Sequence, residues 1–188
     1  ASFGAMTNLA TYVEASPRRE ELYLRVGDTR ASDGRALLRE QSPLPRAGGI
    51  NQPLLLAFGA NDARVSRDET DQIAASLSAR GVNVTYVVFQ GEGRLLARPA
   101  NRFAYHAVLE HFLGDCLGGR VEPVGTAFEH ASLQAVEGAV NVPGLAAFVR
   151  RRPPRPPTPP PVVQQGRSRA EAPPSPARPP PESVGPPS

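Results

Sequence analysis

Two short stretches of the chain are apolar almost without a break. Leu54-Leu55-Leu56-Ala57-Phe58 lies between Pro53 and Gly59, and Val84-Thr85-Tyr86-Val87-Val88-Phe89 follows some thirty residues later. A strand with one wet face alternates apolar and polar positions. A continuous apolar run suits a strand covered on both faces. Between the two runs the period lengthens. Ile73, Ala74 and Leu77 fall on one helical face, Ser66-x-x-Glu69 reads as a capping box that opens the helix, and Gly81 closes it. After the second run, residues 101–116 place Ala104, Val108 and Phe112 on one stripe, with Gly118-Gly119 beyond the end. Strand, helix, strand and helix joined by short loops predict an α/β fold, part of a parallel sheet with flanking helices.

The flanks are less regular. Ser16-Pro17 predicts a helix through Leu24 with Gly27 past its end, and Ser32 or Asp33 opens a second short helix that Ser42-Pro43 stops. A helical pattern also begins almost at residue 1, where no initiating Met stands, so position 1 reads as a cut edge. Leu133, Val136, Val140, Val142, Leu145 and Phe148 suggest a strand-like or loosely packed edge within 121–149. No internal repeat is visible. With two clear strands, the piece is expected to leave a sheet edge unpaired and to be poorly stable alone.

Composition divides the chain in two. Fifteen of the 22 prolines lie beyond residue 150, and in residues 150–188 seven arginines face only Glu171 and Glu182. Such a segment has too few large apolar groups to offset its ordering entropy, so 150–188 is expected to be a disordered tail after a partial domain over 1–149. Arg151-x-x-Pro154-x-x-Pro157 and Pro173-x-x-Pro176-x-Arg178 match proline-rich docking patterns that any segment so rich in Pro and Arg meets by chance. All 21 basic residues of the chain are arginine. The overall net charge of +3 comes from the tail, and residues 1–149 are slightly acidic, so the domain does not read as a nucleic-acid binder. No run reaches the roughly 18–20 apolar residues of a membrane span. The lone Cys116 allows no intrachain disulfide and reads as a small, partly buried hydrophobe at a helix end.

In a parallel sheet the catalytic loops follow the carboxyl ends of the strands. Here those loops are Gly59-Ala60-Asn61-Asp62-Ala63-Arg64-Val65 and Gln90-Gly91-Glu92-Gly93-Arg94-Leu95-Leu96-Ala97-Arg98-Pro99. An acid after one strand and a base after the next is the α/β-hydrolase order. With Pro53-Leu54-Leu55, Ala79-Arg80-Gly81, Phe89-Gln90-Gly91-Glu92-Gly93 and the downstream Asn101-Arg102, the segment resembles the prolyl oligopeptidase family of serine peptidases. That group includes acylaminoacyl-peptidase-like and dipeptidyl-peptidase-like enzymes. Arg25-Val26-Gly27-Asp28 and Ser42-Pro43-Leu44 extend the resemblance upstream, so that it covers residues 5–149.

The resemblance implies the C-terminal portion of an α/β-hydrolase catalytic domain, acting in the parent enzyme on peptide substrates through a Ser-Asp-His triad. It makes Asp62 the triad acid, which orients and stabilises an imidazolium. The position of the catalytic His is Arg94, followed by Leu95-Leu96 where the family has Gly-Phe. A guanidinium, with its pKa above about 12, is no general base. The G-x-S-x-G nucleophile elbow does not occur in the chain, and Ser2, between Ala1 and Phe3-Gly4, does not form one. His106, His111 and His130 fall away from the strand ends, and neither rescue of the triad nor metal binding is expected of them. No cofactor is expected. The chain therefore reads as a fragment or degenerate copy of a peptidase, inactive alone, with the N-terminal part of the same enzyme as its missing partner and Arg94 expected to pair with Asp62. The alternative is a non-enzymatic α/β module that binds a peptide or protein.

Overall fold

The computed structural model describes residues 1–151. Four strands form one sheet in chain order: β1 (Ser2–Phe3), β2 (Leu54–Gly59), β3 (Val84–Phe89) and β4 (Leu133–Glu137). Six α-helices accompany them: α1 (Leu9–Ala15), α2 (Arg19–Arg25), α3 (Ser32–Gln41), α4 (Arg67–Ser78), α5 (Pro99–Leu117) and α6 (Leu145–Arg151). Of the segment 150–188 expected to be disordered, Arg150 and Arg151 instead end α6, and the rest lies outside the described residues.

The two apolar runs form the centre of the sheet. β2 and β3 are parallel and in register from Leu54↔Val84 to Gly59↔Phe89. Because side chains alternate across a strand, each run supplies two cores. Leu55, Ala57, Val87 and Phe89 pack with Ala104 and Val108 of α5, Leu133 of β4 and Leu145 of α6. Leu56, Phe58, Val84, Tyr86 and Val88 pack on the other face with Ile73, Ala74 and Leu77 of α4. Full burial contributes about 1.5–3 kcal/mol for each large apolar side chain, so these strands dominate the stability. A smaller cluster of Val13, Tyr23 and Leu38 joins α1, α2 and α3.

Several expectations need correction. The sheet is mixed, because β4 returns antiparallel to β3, with an irregularity between Tyr86 and Val87. The strands number four among the described residues, since β1 adds Ser2↔Leu56 and Phe3↔Ala57 as a two-residue parallel edge. The helix predicted from Ser16 begins at Arg19, and the helical pattern read almost from residue 1 starts only at Leu9, after β1.

Glu69 does not complete a capping box. Ser66 Oγ accepts from the Asp68 amide at 3.3 Å. The Glu69 carboxylate, however, turns away into a buried position and accepts from the amides of Thr7 at 2.9 Å and Asn8 at 2.6 Å and from the Thr11 hydroxyl. Once the residue is buried, its carboxylate needs donors, and the 7–11 segment supplies them. Cys116, expected to be partly buried, is exposed at the end of α5.

Candidate active site

The register that sets Gly59 opposite Phe89 also sets the two following loops side by side. They interlock through backbone. Ala60 N donates to Phe89 O at 3.0 Å, and Asn61 N donates to Glu92 O at 2.7 Å. A Cβ on Gly59 would lie 2.0 Å from the carbonyl oxygen of Gly93, so only glycine permits this approach.

Asp62 is held by its own turn. Its amide donates to Gly59 O at 3.0 Å, and its Oδ1 accepts from the amides of Arg64 at 2.8 Å and Val65 at 3.1 Å. This Asx-type arrangement fixes the carboxylate plane. Oδ2 is buried without a hydrogen-bond donor. Its nearest cation is Arg94, whose Nη1 stands 3.9 Å away, within ion-pair range and beyond hydrogen-bond length. The Asp62 side chain is 1% exposed and that of Arg94 47%. Gly4, just after β1, closes over the same oxygen, and a Cβ there would stand 3.3 Å from Oδ2. The structure thus brings together the two sequence-identified residues, Asp62 and Arg94, as the expected charge pair. His106 and His130 are exposed, and no histidine among the described residues forms a hydrogen bond or ion pair with Asp62 Oδ2.

Sequence reasoning missed the group that shapes the second loop. Glu92 is buried, and its carboxylate accepts from Ala97 N at 2.7 Å, Arg98 N at 3.1 Å and Asn101 Nδ2 at 2.5 Å. Burial alone raises such a carboxyl. The bonds from Asn101, Ala97 and Arg98, with the nearby Arg98 charge, outweigh it and hold Glu92 below the usual carboxylate value. The visible signal was an acid inside a loop, which also fits an exposed residue.

A cavity of about 580 Å³ opens at the opposite ends of the strands, lined by Pro53, Asn83, Phe112 and Cys116 among others. Neither Asp62 nor Arg94 lines it. Among the described residues no cluster of His, Cys, Asp and Glu could hold a metal, and no helix is long and apolar enough to cross a membrane.

Two strand-end loops, an acid fixed in the first and a glycine-framed turn in the second, define the class: this is part of an α/β-hydrolase sheet of the peptidase type. The comparisons agree. The Pyrococcus horikoshii acylaminoacyl peptidase shares this fold, with a TM-score of 0.55 at 22% identity over 67% of this chain and 21% of its own. A puromycin-hydrolyzing peptidase of Mycobacterium tuberculosis also matches with a TM-score of 0.55, at 28% identity over 65% of this chain and 19% of its own. In sequence, the chain is 50% identical over 131 residues to dipeptidyl aminopeptidase BIII of Pseudoxanthomonas mexicana, covering 70% of this chain and 19% of that enzyme. The sequence model of the prolyl oligopeptidase family matches residues 2–120, and the chain belongs to that family. It spans about a fifth of the length of these relatives.

Proposed function

We propose that the chain carries the acid arm of a serine-peptidase triad whose other two members it does not supply. In the parent enzyme a serine Oγ attacks the peptide carbonyl while an imidazole takes its proton. The imidazolium then protonates the leaving amine, and water releases the acyl group by the same route. Asp62 would accept the N–H of that imidazole. One observation carries the reading: Asp62 Oδ2 is buried, lacks a donor and faces position 94 across 3.9 Å. Two backbone amides already occupy Oδ1, so the remaining oxygen is the one free to hold a base.

Arg94 cannot take a proton from serine at neutral pH. With no nucleophile elbow in the 188 residues, the chain binds and turns over no peptide as an acyl-enzyme by itself. Completing the site requires the segment bearing the serine together with an imidazole at position 94. The test is labelling by a serine-directed fluorophosphonate alongside a peptidase assay. Neither signal is expected from the unmodified chain or from Arg94→His. Stoichiometric labelling of a serine in the unmodified chain, abolished by Asp62→Ala, would overturn the proposal.

A further inference from the structure

Residues 121–151 lie beyond the stretch that the family model matches, yet they are built into the loop after β3. We propose that Ser132 is a positioning residue, bracing the loop that carries position 94 by way of Asn101 and Glu92. The proposal rests on the reading of that loop as the place of the triad base.

The brace is a continuous set of hydrogen bonds. Ser132 Oγ donates to Gln90 O at 2.6 Å and accepts from Asn101 Nδ2 at 3.0 Å. Ser132 N donates to Asn101 Oδ1 at 2.7 Å, and Gln90 N donates to Ser132 O at 3.0 Å. These contacts orient the Asn101 amide so that its other N–H reaches Glu92 Oε1. Glu92 in turn gathers the amides of Ala97 and Arg98, closing residues 92–98 into a ring.

Ser132 itself is held in place. Ala131 and Leu133 on either side of it are buried, and Leu133 pairs with Phe89. Gln134 adds a second tie, accepting from Gln90 Nε2 at 3.0 Å. Asn101 and Glu92 are each 1% exposed, so water is not at hand to replace a lost partner. Without Ser132 Oγ, Gln90 O loses its side-chain donor, and the Ser132 amide alone is left on that side to hold the Asn101 amide toward Glu92.

Amide hydrogen exchange on the whole chain tests this. Ser132→Ala should speed exchange at Ala97 and Arg98 by roughly tenfold, the scale of one unsatisfied buried polar group. Exchange in α4 should stay unchanged, and Ser132→Thr should keep the slow pattern. Equal acceleration in α4 and in the loop, the mark of a merely stabilising residue, overturns the proposal, as does no acceleration in either. The underlying reading is checked separately in Arg94→His, by titrating the new imidazole with and without Asp62→Asn. An imidazole indifferent to Asp62 sinks the base-loop assignment. One that responds to Asp62 but not to an added Ser132→Ala sinks the brace alone.

Discussion

Arg94 Nη1 stops 3.9 Å short of Asp62 Oδ2, so the pair is joined by charge and not by a hydrogen bond. The two residues contribute unequally to the fold. Arg94 is half exposed and its charge is screened, but it is the cation beside the buried Oδ2, so Arg94→Ala should cost up to about 1 kcal/mol. Asp62→Ala removes the acceptor of two backbone amides and should cost about 1–3 kcal/mol. Urea denaturation of the two variants, compared with the parent chain, measures the difference. Equal losses would mean that the ion pair, and not the turn, holds Asp62.

Gly59→Ala should be far more damaging than its one added methyl suggests. The new carbon would meet the Gly93 carbonyl at 2.0 Å, and backbone cannot swing aside as a side chain does. A loss of about 2–3 kcal/mol or more is expected, with chemical-shift changes concentrated in residues 91–98. A variant as stable as the parent, with an unshifted loop, would contradict the interlocked geometry.

Glu92 sets an acid limit. Its folded carboxyl lies below the unfolded value of about 4.3, so the unfolded chain binds its proton first as pH falls. Stability from Glu92 is complete above that unfolded value and drains away as pH drops through the folded one. Glu92→Gln should therefore flatten the acid limb of a stability–pH curve. Parallel curves for parent and variant between pH 3 and 6 would refute the assignment.

The fold was most legible where every position is apolar. β2, α4, β3 and α5 follow from their runs, helical stripes and the glycines at 59, 81 and 118. β1 was not legible because two residues have no period. β4 shows only a weak alternation, and nothing in such a pattern states whether a strand runs parallel or antiparallel to its neighbour. The site divides in the same way. Asp62 and Arg94 stand in a recognisable order along the chain. The partners of Glu69 lie 58 to 62 residues away, and those of Glu92 lie 5 to 9 residues away in a loop with no period, so neither set shows in a local pattern.

The outer edge of the sheet yields a further prediction. Among the described residues β1 pairs only with β2, which leaves one side of its backbone without a strand neighbour. Open edges of this kind recruit other strands. Sedimentation velocity should show association rising with concentration and a shallow melt at low concentration. A monomer at every concentration, with one sharp transition, would count against the expected weakness of this piece by itself.

The unequal exposure of Asp62 and Arg94 has an evolutionary consequence. The Arg94 side chain is half exposed, donates no hydrogen bond among the described residues and fills no core, so folding selects little there. On the proposed reading of the loop, a base lost at that place would leave the packing of the sheet untouched. Once the need for turnover lapsed, drift would reach this codon before those of β2 or β3, where each side chain is wedged between a helix and its neighbours. Such a chain would keep the outline of a peptidase long after it had stopped being one.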